Sequence, residues 1–239
     1  MQARSAKCIQ GSKGFEVKVI DDFLPQRLVD LVADDSSFFP GLMGSSERVA
    51  SELNSYHSEQ SDCYAPYMFW DGWWSSPVNS LKKHVIKNIW ENNLPMPQAE
   101  VLGFEYWTRT FGPGQYLGPH VDEDTFLYQD SKTYNGPEIG CVYYGPSEEK
   151  VVGGFLELFQ SKLIFGEKNA LEWDNLQKHL SPLEERERIA FSENRLIIFD
   201  AGRVIHQTSP CISGIRNVLV VNVWTKSNPP SDMSKFVYE

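Results

Sequence analysis

After Pro97 the chain breaks into short runs rich in β-branched and aromatic residues, at 101–111, 139–145, 153–159, 195–200 and 214–225, parted by Gly, Pro and Asn. That rhythm points to antiparallel sheets arranged as a sandwich or barrel. The charge-rich stretch 167–190 interrupts it and predicts an insertion of helix or loop between strands. Upstream, Phe15-Glu-Val-Lys-Val-Ile20 alternates as a half-buried strand, and Asp21-Asp22 offer an N-cap to a helix through Leu28, Leu31 and Val32. Ser76-Pro77 predicts a second helix start, with Val78, Leu81, Val85, Ile86 and Ile89 as its buried stripe and Asn92-Asn93 and Pro95 as its end. Between the two helices lies a loop at 40–75 rich in Ser, Tyr and Trp, long enough to suggest a lid or a mobile segment. The expected class is mainly β with flanking helices (α+β). One domain over 1–239 is expected, with an N-terminal α+β support at 1–97, a β core at 98–226 carrying the insertion at about 160–190, and a tail at 227–239.

With 239 residues, 41% of them hydrophobic, the chain is long enough to bury a sizeable core. A formal charge of −10 disfavours a phosphate backbone as partner, and the cluster Lys82-Lys83 and Lys87 reads as the solvated face of a helix. No apolar run approaches the roughly 20 residues needed to span a bilayer, and no apolar stretch follows the N-terminal Arg4 and Lys7 as it would in a secretory signal. Cys8, Cys63, Cys141 and Cys211 are scattered without a CxxC pair, which argues for free thiols in a reducing compartment. A cytoplasmic location, with no membrane or nucleic-acid partner, is the resulting expectation.

Chemistry concentrates in Gly118-Pro-His120-Val-Asp122-Glu-Asp124. On extended backbone His120 and Asp122 share a face and can grip one ion, and His206, after the run Leu196-Ile-Ile-Phe-Asp200, supplies a second imidazole. Two histidines and one carboxylate leave three positions open on an octahedral metal, the arrangement of oxygen-activating iron sites. HxD alone is a weak signal, since a histidine on an apolar strand is more often a hydrogen-bonded core residue. Arg216 strengthens it, ten residues past His206 at the head of the strand Ile215-Arg-Asn-Val-Leu-Val-Val-Asn-Val-Trp224. Arg216, Val218, Val220, Asn222 and Trp224 share a face there, and a guanidinium among valines is costly to bury unless an anion meets it. The plainer alternative is a strand-end arginine paired with a nearby acid.

In these blocks the chain resembles the prolyl-hydroxylase branch of the 2-oxoglutarate/iron(II) dioxygenases. The similarity runs from about Phe104 to Trp224, through Phe111-Gly-Pro-Gly-Gln-Tyr116, the HxD, Cys141-Val-Tyr-Tyr144, Gly153-Gly-Phe-Leu-Glu-Leu-Phe159, Asn194-Arg-Leu-Ile-Ile-Phe-Asp200, His206 and Arg216. Residues 15–33 also resemble the opening strand and helix of these enzymes. The resemblance implies a double-stranded β-helix (jelly-roll) with Fe(II) on His120, Asp122 and His206. It implies 2-oxoglutarate as co-substrate, O₂, and ascorbate as an auxiliary reductant. Arg216 would hold the distal carboxylate of 2-oxoglutarate, with Tyr144 as a second donor. Phe111 departs from the tyrosine found in many relatives, and Thr110 or Tyr116 is expected to supply the missing hydroxyl. The implied reaction hydroxylates a C–H bond with release of succinate and CO₂, on a prolyl residue of a peptide or protein or, alternatively, on a free amino acid or other small metabolite. A non-catalytic binding module of the same fold is a third reading, against which the full set of four site residues argues.

Tyr64-Ala-Pro-Tyr67-Met-Phe-Trp70-Asp-Gly-Trp73-Trp74 is dense in aromatics. Tyr67, Trp70 and Trp73, with Trp224, are expected to line a substrate groove; a packed cover over the barrel is the competing reading. His57, His84 and His179 have no partner at ligand spacing and read as surface or structural residues.

Overall fold

The protein is described here from a computed structural model that covers residues 6–10, 16–39, 68–94, 96–131, 133–162 and 186–238. Tyr67, the insertion between 163 and 185, and most of the 40–75 loop fall outside these residues.

Alternation of side chains fixes the layers. The central strands are β4 (Val101–Phe111), β6 (Ile139–Tyr144), β10 (Arg195–Phe199) and β13 (Arg216–Thr225). Cys141, Tyr143, Leu196, Ile198, Leu219, Val221 and Val223 point to one side, into a core shared with helices α1 (Gln26–Asp34) and α2 (Leu81–Asn93). Val142, Tyr144, Ile197, Phe199 and Val218 point to the other, against Leu156, Leu158, Ile189 and Val204 of a second sheet. A strand apolar on both faces must be covered on both, and here helices cover one side and the second sheet the other.

The large sheet also takes in β1 (Ala6–Gln10), β2 (Glu16–Ile20), β3 (Met68–Trp70) and β14 (Val237–Tyr238), in the order β1-β2-β10-β6-β13-β4-β3-β14. The second sheet runs β5-β11-β8-β9, from β5 (Leu117–His120), β11 (Val204–Thr208), β8 (Leu156–Lys162) and β9 (Arg186–Ile189). A short pair, β7 (Val152–Gly153) with β12 (Cys211–Ser213), and a helix α3 (Thr125–Ser131) complete the described elements. Two facing sheets whose strands alternate along the chain make the mainly β jelly-roll, the double-stranded β-helix, that was expected.

Local details differ from the sequence reading. Pro25 heads α1 without a side-chain cap, because Asp21 is engaged by the Arg195 guanidinium at 2.5 and 3.0 Å and Asp22 turns the backbone with φ 51. The second helix starts at Leu81 rather than near Pro77, with the Ser80 hydroxyl accepting from the Lys83 amide at 3.4 Å. The chain end contributes β14, parallel to β3, and the far end of the insertion is β9, paired with β8.

Candidate metal centre

The antiparallel register of β11 and β5 places His206 directly opposite His120. Register shifts on both sides of His206, against β8 and against β5, set it off from the regular ladder, and such bulges re-aim side chains. The chain leaves β5 at His120 and crosses to the Ala201 carbonyl, which accepts from the Asp122 amide at 2.9 Å. Asp124 then caps α3, its carboxylate accepting from the amides of Leu127 at 3.0 Å and Ser231 at 2.5 Å. The segment is thus tied down on both sides of Asp122.

Each imidazole is held by the carbonyl two residues earlier. His120 Nδ1 lies 2.8 Å from the Gly118 oxygen and His206 Nδ1 2.9 Å from the Val204 oxygen. A carbonyl only accepts, so both Nδ1 atoms carry the proton and both Nε2 atoms present lone pairs. Those Nε2 atoms converge on Asp122 Oδ1, at 3.7 Å from His120 and 3.5 Å from His206. Three electron-rich atoms facing one another are mutually repulsive unless a cation or proton lies between them. Bonds of about 2.0–2.2 Å allow two donors on one cation to stand up to about 4.4 Å apart, and both separations fall inside that limit. All three donor atoms lie within 4.8 Å of one another, and among the described residues no other group of three or more His, Cys, Asp or Glu is so arranged.

Electrostatics fit a cation. Burial, reinforced by the neighbouring His206, pushes the His120 imidazole down to about 3, so it is neutral at physiological pH. Burial would raise the Asp122 carboxyl, but positive charge shared with His206 and His120, together with the Asn222 amide, holds it below its ordinary value. A neutral imidazole beside an ionised carboxylate is the state a divalent metal requires.

Arg216 is buried, its Nε has no hydrogen-bond partner, and no carboxylate among the described residues pairs with it. It packs over Phe111 at 5.0 Å and Tyr144 at 4.9 Å, and donates to the Tyr144 hydroxyl at 3.4 Å. The Tyr144 oxygen therefore accepts from Arg216 and its own O–H is free to donate onward. Gly154, at φ +59, leaves space for the arginine stem, since a Cβ there would lie 3.0 Å from Arg216 Cδ. The alternative of a strand-end arginine paired with an acid does not describe this geometry.

Other expected site residues lie elsewhere. Thr110 pairs in register with Asn217 and donates to its amide oxygen at 2.9 Å, on the face opposite Arg216. Strand parity thus puts Phe111, not Thr110, beside Arg216, so Thr110 cannot reach a ligand held there. Tyr116 is 48% exposed. Trp70 is buried on the helix side of the large sheet, against Trp73 and Phe104, and Trp73 extends the same stack to Trp90. Neither lines a groove beside the histidines, and the packed-cover reading is the one that fits. Trp224 does lie on the site face, but it is buried and donates through Nε1 to Glu105 at 2.8 Å. His84 is exposed on α2.

Glu105 was missed, although its place inside the apolar run Phe104-Glu-Tyr-Trp107 was a signal. It is buried, and burial raises its carboxyl to about 8 against the opposing Trp224 hydrogen bond, with the Asp122 charge adding to the rise. The Asn222 amide favours the ionised form of each carboxylate. Glu105, Asn222 and Trp224 together form the packing behind Asp122.

Fold and cluster define a double-stranded β-helix with a two-histidine, one-carboxylate site suited to a metal. Among solved structures the chain is similar to a prolyl-4-hydroxylase from Pseudomonas putida, at 16% identity and TM-score 0.50, covering 87% of each chain. No protein-family model and no curated protein matches the sequence. At that identity the likeness establishes the fold, and the chemistry rests on the residues themselves. No helix among the described residues is long and apolar enough to cross a membrane.

Proposed function

We propose that the protein is a 2-oxoglutarate- and Fe(II)-dependent dioxygenase that hydroxylates a C–H bond. The observation that carries this reading is the pairing of a three-donor metal cluster with a buried arginine that has no carboxylate partner among the described residues. His120, Asp122 and His206 would hold Fe(II), leaving three coordination positions for a chelating co-substrate and O₂. When bound, iron would supply the redox chemistry by which O₂ oxidatively decarboxylates 2-oxoglutarate to succinate and CO₂, one oxygen atom entering succinate and the other the substrate. Arg216 would grip the distal carboxylate of 2-oxoglutarate, with Tyr144 donating its free O–H to the same group. Phe111 and Val218 from one sheet pack in one apolar cluster with Leu158 and Val204 from the other, and would keep water away from the reacting centre. Buried, reduced Cys141 and Cys211 suit a reducing cytoplasm, where Fe(II) persists.

A prolyl residue in a peptide or protein is the leading substrate, supported by the block similarity and by the fold shared with the Pseudomonas enzyme. A free amino acid is the second reading. It gains from the position of Trp70 and Trp73, two of the expected peptide-gripping aromatics, on the helix side of the large sheet. The test is incubation with Fe(II), 2-oxoglutarate and air, scored for succinate. Succinate formation that disappears in a His120→Ala, His206→Ala double variant is expected. Equal iron content in wild type and that variant would refute the metal assignment.

A further inference from the structure

Strand β4 brings a second guanidinium to the site face. Side chains 105, 107, 109 and 111 alternate to that side, and Arg109 stands in register with Val218, whose other neighbour is Tyr144. Arg109 Cζ lies 5.3 Å from the centre of the Phe111 ring, and Arg216 Cζ lies 5.0 Å from the same ring. The two guanidiniums thus flank one aromatic side chain on the wall of the site. Arg109 is half-buried. The described arginines that pair with carboxylates are Arg186, Arg188, Arg195 and Arg203; Arg109 pairs with none of the described acids. 2-Oxoglutarate has two carboxylates, and the reading above places one at the metal and the other at Arg216. That leaves Arg109, beside the co-substrate arginine, without a match among the described acids, and a partly desolvated cation there favours a second anion.

We infer that Arg109 holds a carboxylate of the substrate itself, so that the substrate is an anionic amino-acid unit with a carboxylate close to the C–H bond that is oxidised. This rests on the dioxygenase reading and narrows it. The carboxylate has two sources, a free amino acid or the C-terminal or acidic side-chain group of a peptide. Phe111 keeps the two arginines in place by stacking, so Arg109 acts by contact with substrate and is a specificity determinant.

The test screens amino acids, beginning with proline, and proline-containing peptides as paired free acids and amides, following one-oxygen mass gain and coupled succinate. The inference expects acids to be preferred over their amides by about 10- to 100-fold in kcat/KM, the equivalent of a charge-assisted hydrogen bond. Arg109→Gln should collapse that ratio towards one, and Arg109→Lys should restore part of it, which a merely structural role would not do. Turnover of free amino acids and not of peptides identifies the first source, and the reverse the second. Amides accepted as readily as acids would overturn the inference while leaving the dioxygenase reading intact. So would an acid-to-amide ratio unaffected by Arg109→Gln, or one accompanied by a raised KM for 2-oxoglutarate alone. Absence of succinate in every wild-type reaction would instead bring down the dioxygenase reading and this inference together.

Discussion

At the scale of the residue, the account turns on what each buried polar group lacks. Arg216 has no anionic partner among the described residues, so Arg216→Ala should raise the 2-oxoglutarate requirement by one to several orders of magnitude, following the roughly 2–5 kcal/mol lost when a buried charge pair is truncated. Metal titration should be little changed, and an unaltered 2-oxoglutarate affinity would move the anion site elsewhere. Glu105 lacks a counter-charge. Its carboxyl is raised to about 8 when folded, so the native state holds a proton that the unfolded chain releases near the ordinary carboxylate value. Stability from this group is complete at acid pH and falls through the window from about 4.5 to 8, by roughly 1.4 kcal/mol per pH unit at most. Glu105→Gln should therefore flatten the decline of the metal-free protein's denaturation midpoint across that window; parallel wild-type and variant curves would contradict the raised value. His120 and Asp122 were legible from their two-residue spacing on extended backbone, and His206 and Arg216 from the strands that carry them and the resemblance of the surrounding blocks. Glu105 was legible only as a charge out of place, since the depth of its burial depends on Trp224, far away along the chain.

At the scale of the element, strand parity decides which side chains meet. Thr110 and Phe111 are adjacent in sequence, and only the register with Asn217 and Arg216 shows that the hydroxyl faces away from the site. The same limit applied to Trp70 and Trp73: aromatic density says that a segment is buried somewhere, not on which face of the sheet. The first helix has no aspartate cap, Asp21 being engaged by Arg195, a partner 174 residues away, and the second starts late because Ser80 caps it. Glycine geometry supplies a test at this scale. Gly154 lies at φ +59 with Arg216 Cδ 3.0 Å from where a Cβ would sit. Gly154→Ala should cost about 1 kcal/mol in backbone strain and also weaken 2-oxoglutarate binding by displacing the arginine stem. Equilibrium denaturation and a 2-oxoglutarate titration read the two effects separately, and wild-type affinity in the variant would show that the stem has room to spare.

For the whole molecule, the large sheet divides labour between its faces. One face is stability, where α1 and α2 pack on Trp70, Phe104, Leu219 and Val221. The other face, opposed to the second sheet, carries the chemistry. Trp70→Ala should destabilise by about 3–5 kcal/mol, as large-to-small changes in a core do, while the folded fraction keeps its full metal content. A lower metal content per folded molecule would show that the two faces are not separable. The β-rich architecture was legible from the rhythm of short strands, whereas the recruitment of residues 237–238 as an edge strand depends on where β3 lies. The most direct measurement of the central claim is the fate of ¹⁸O₂ in a reaction with Fe(II) and 2-oxoglutarate. One ¹⁸O atom in the new carboxylate of succinate, absent in the His120→Ala variant, is the predicted result; succinate formed without label, or formed equally by that variant, would contradict it.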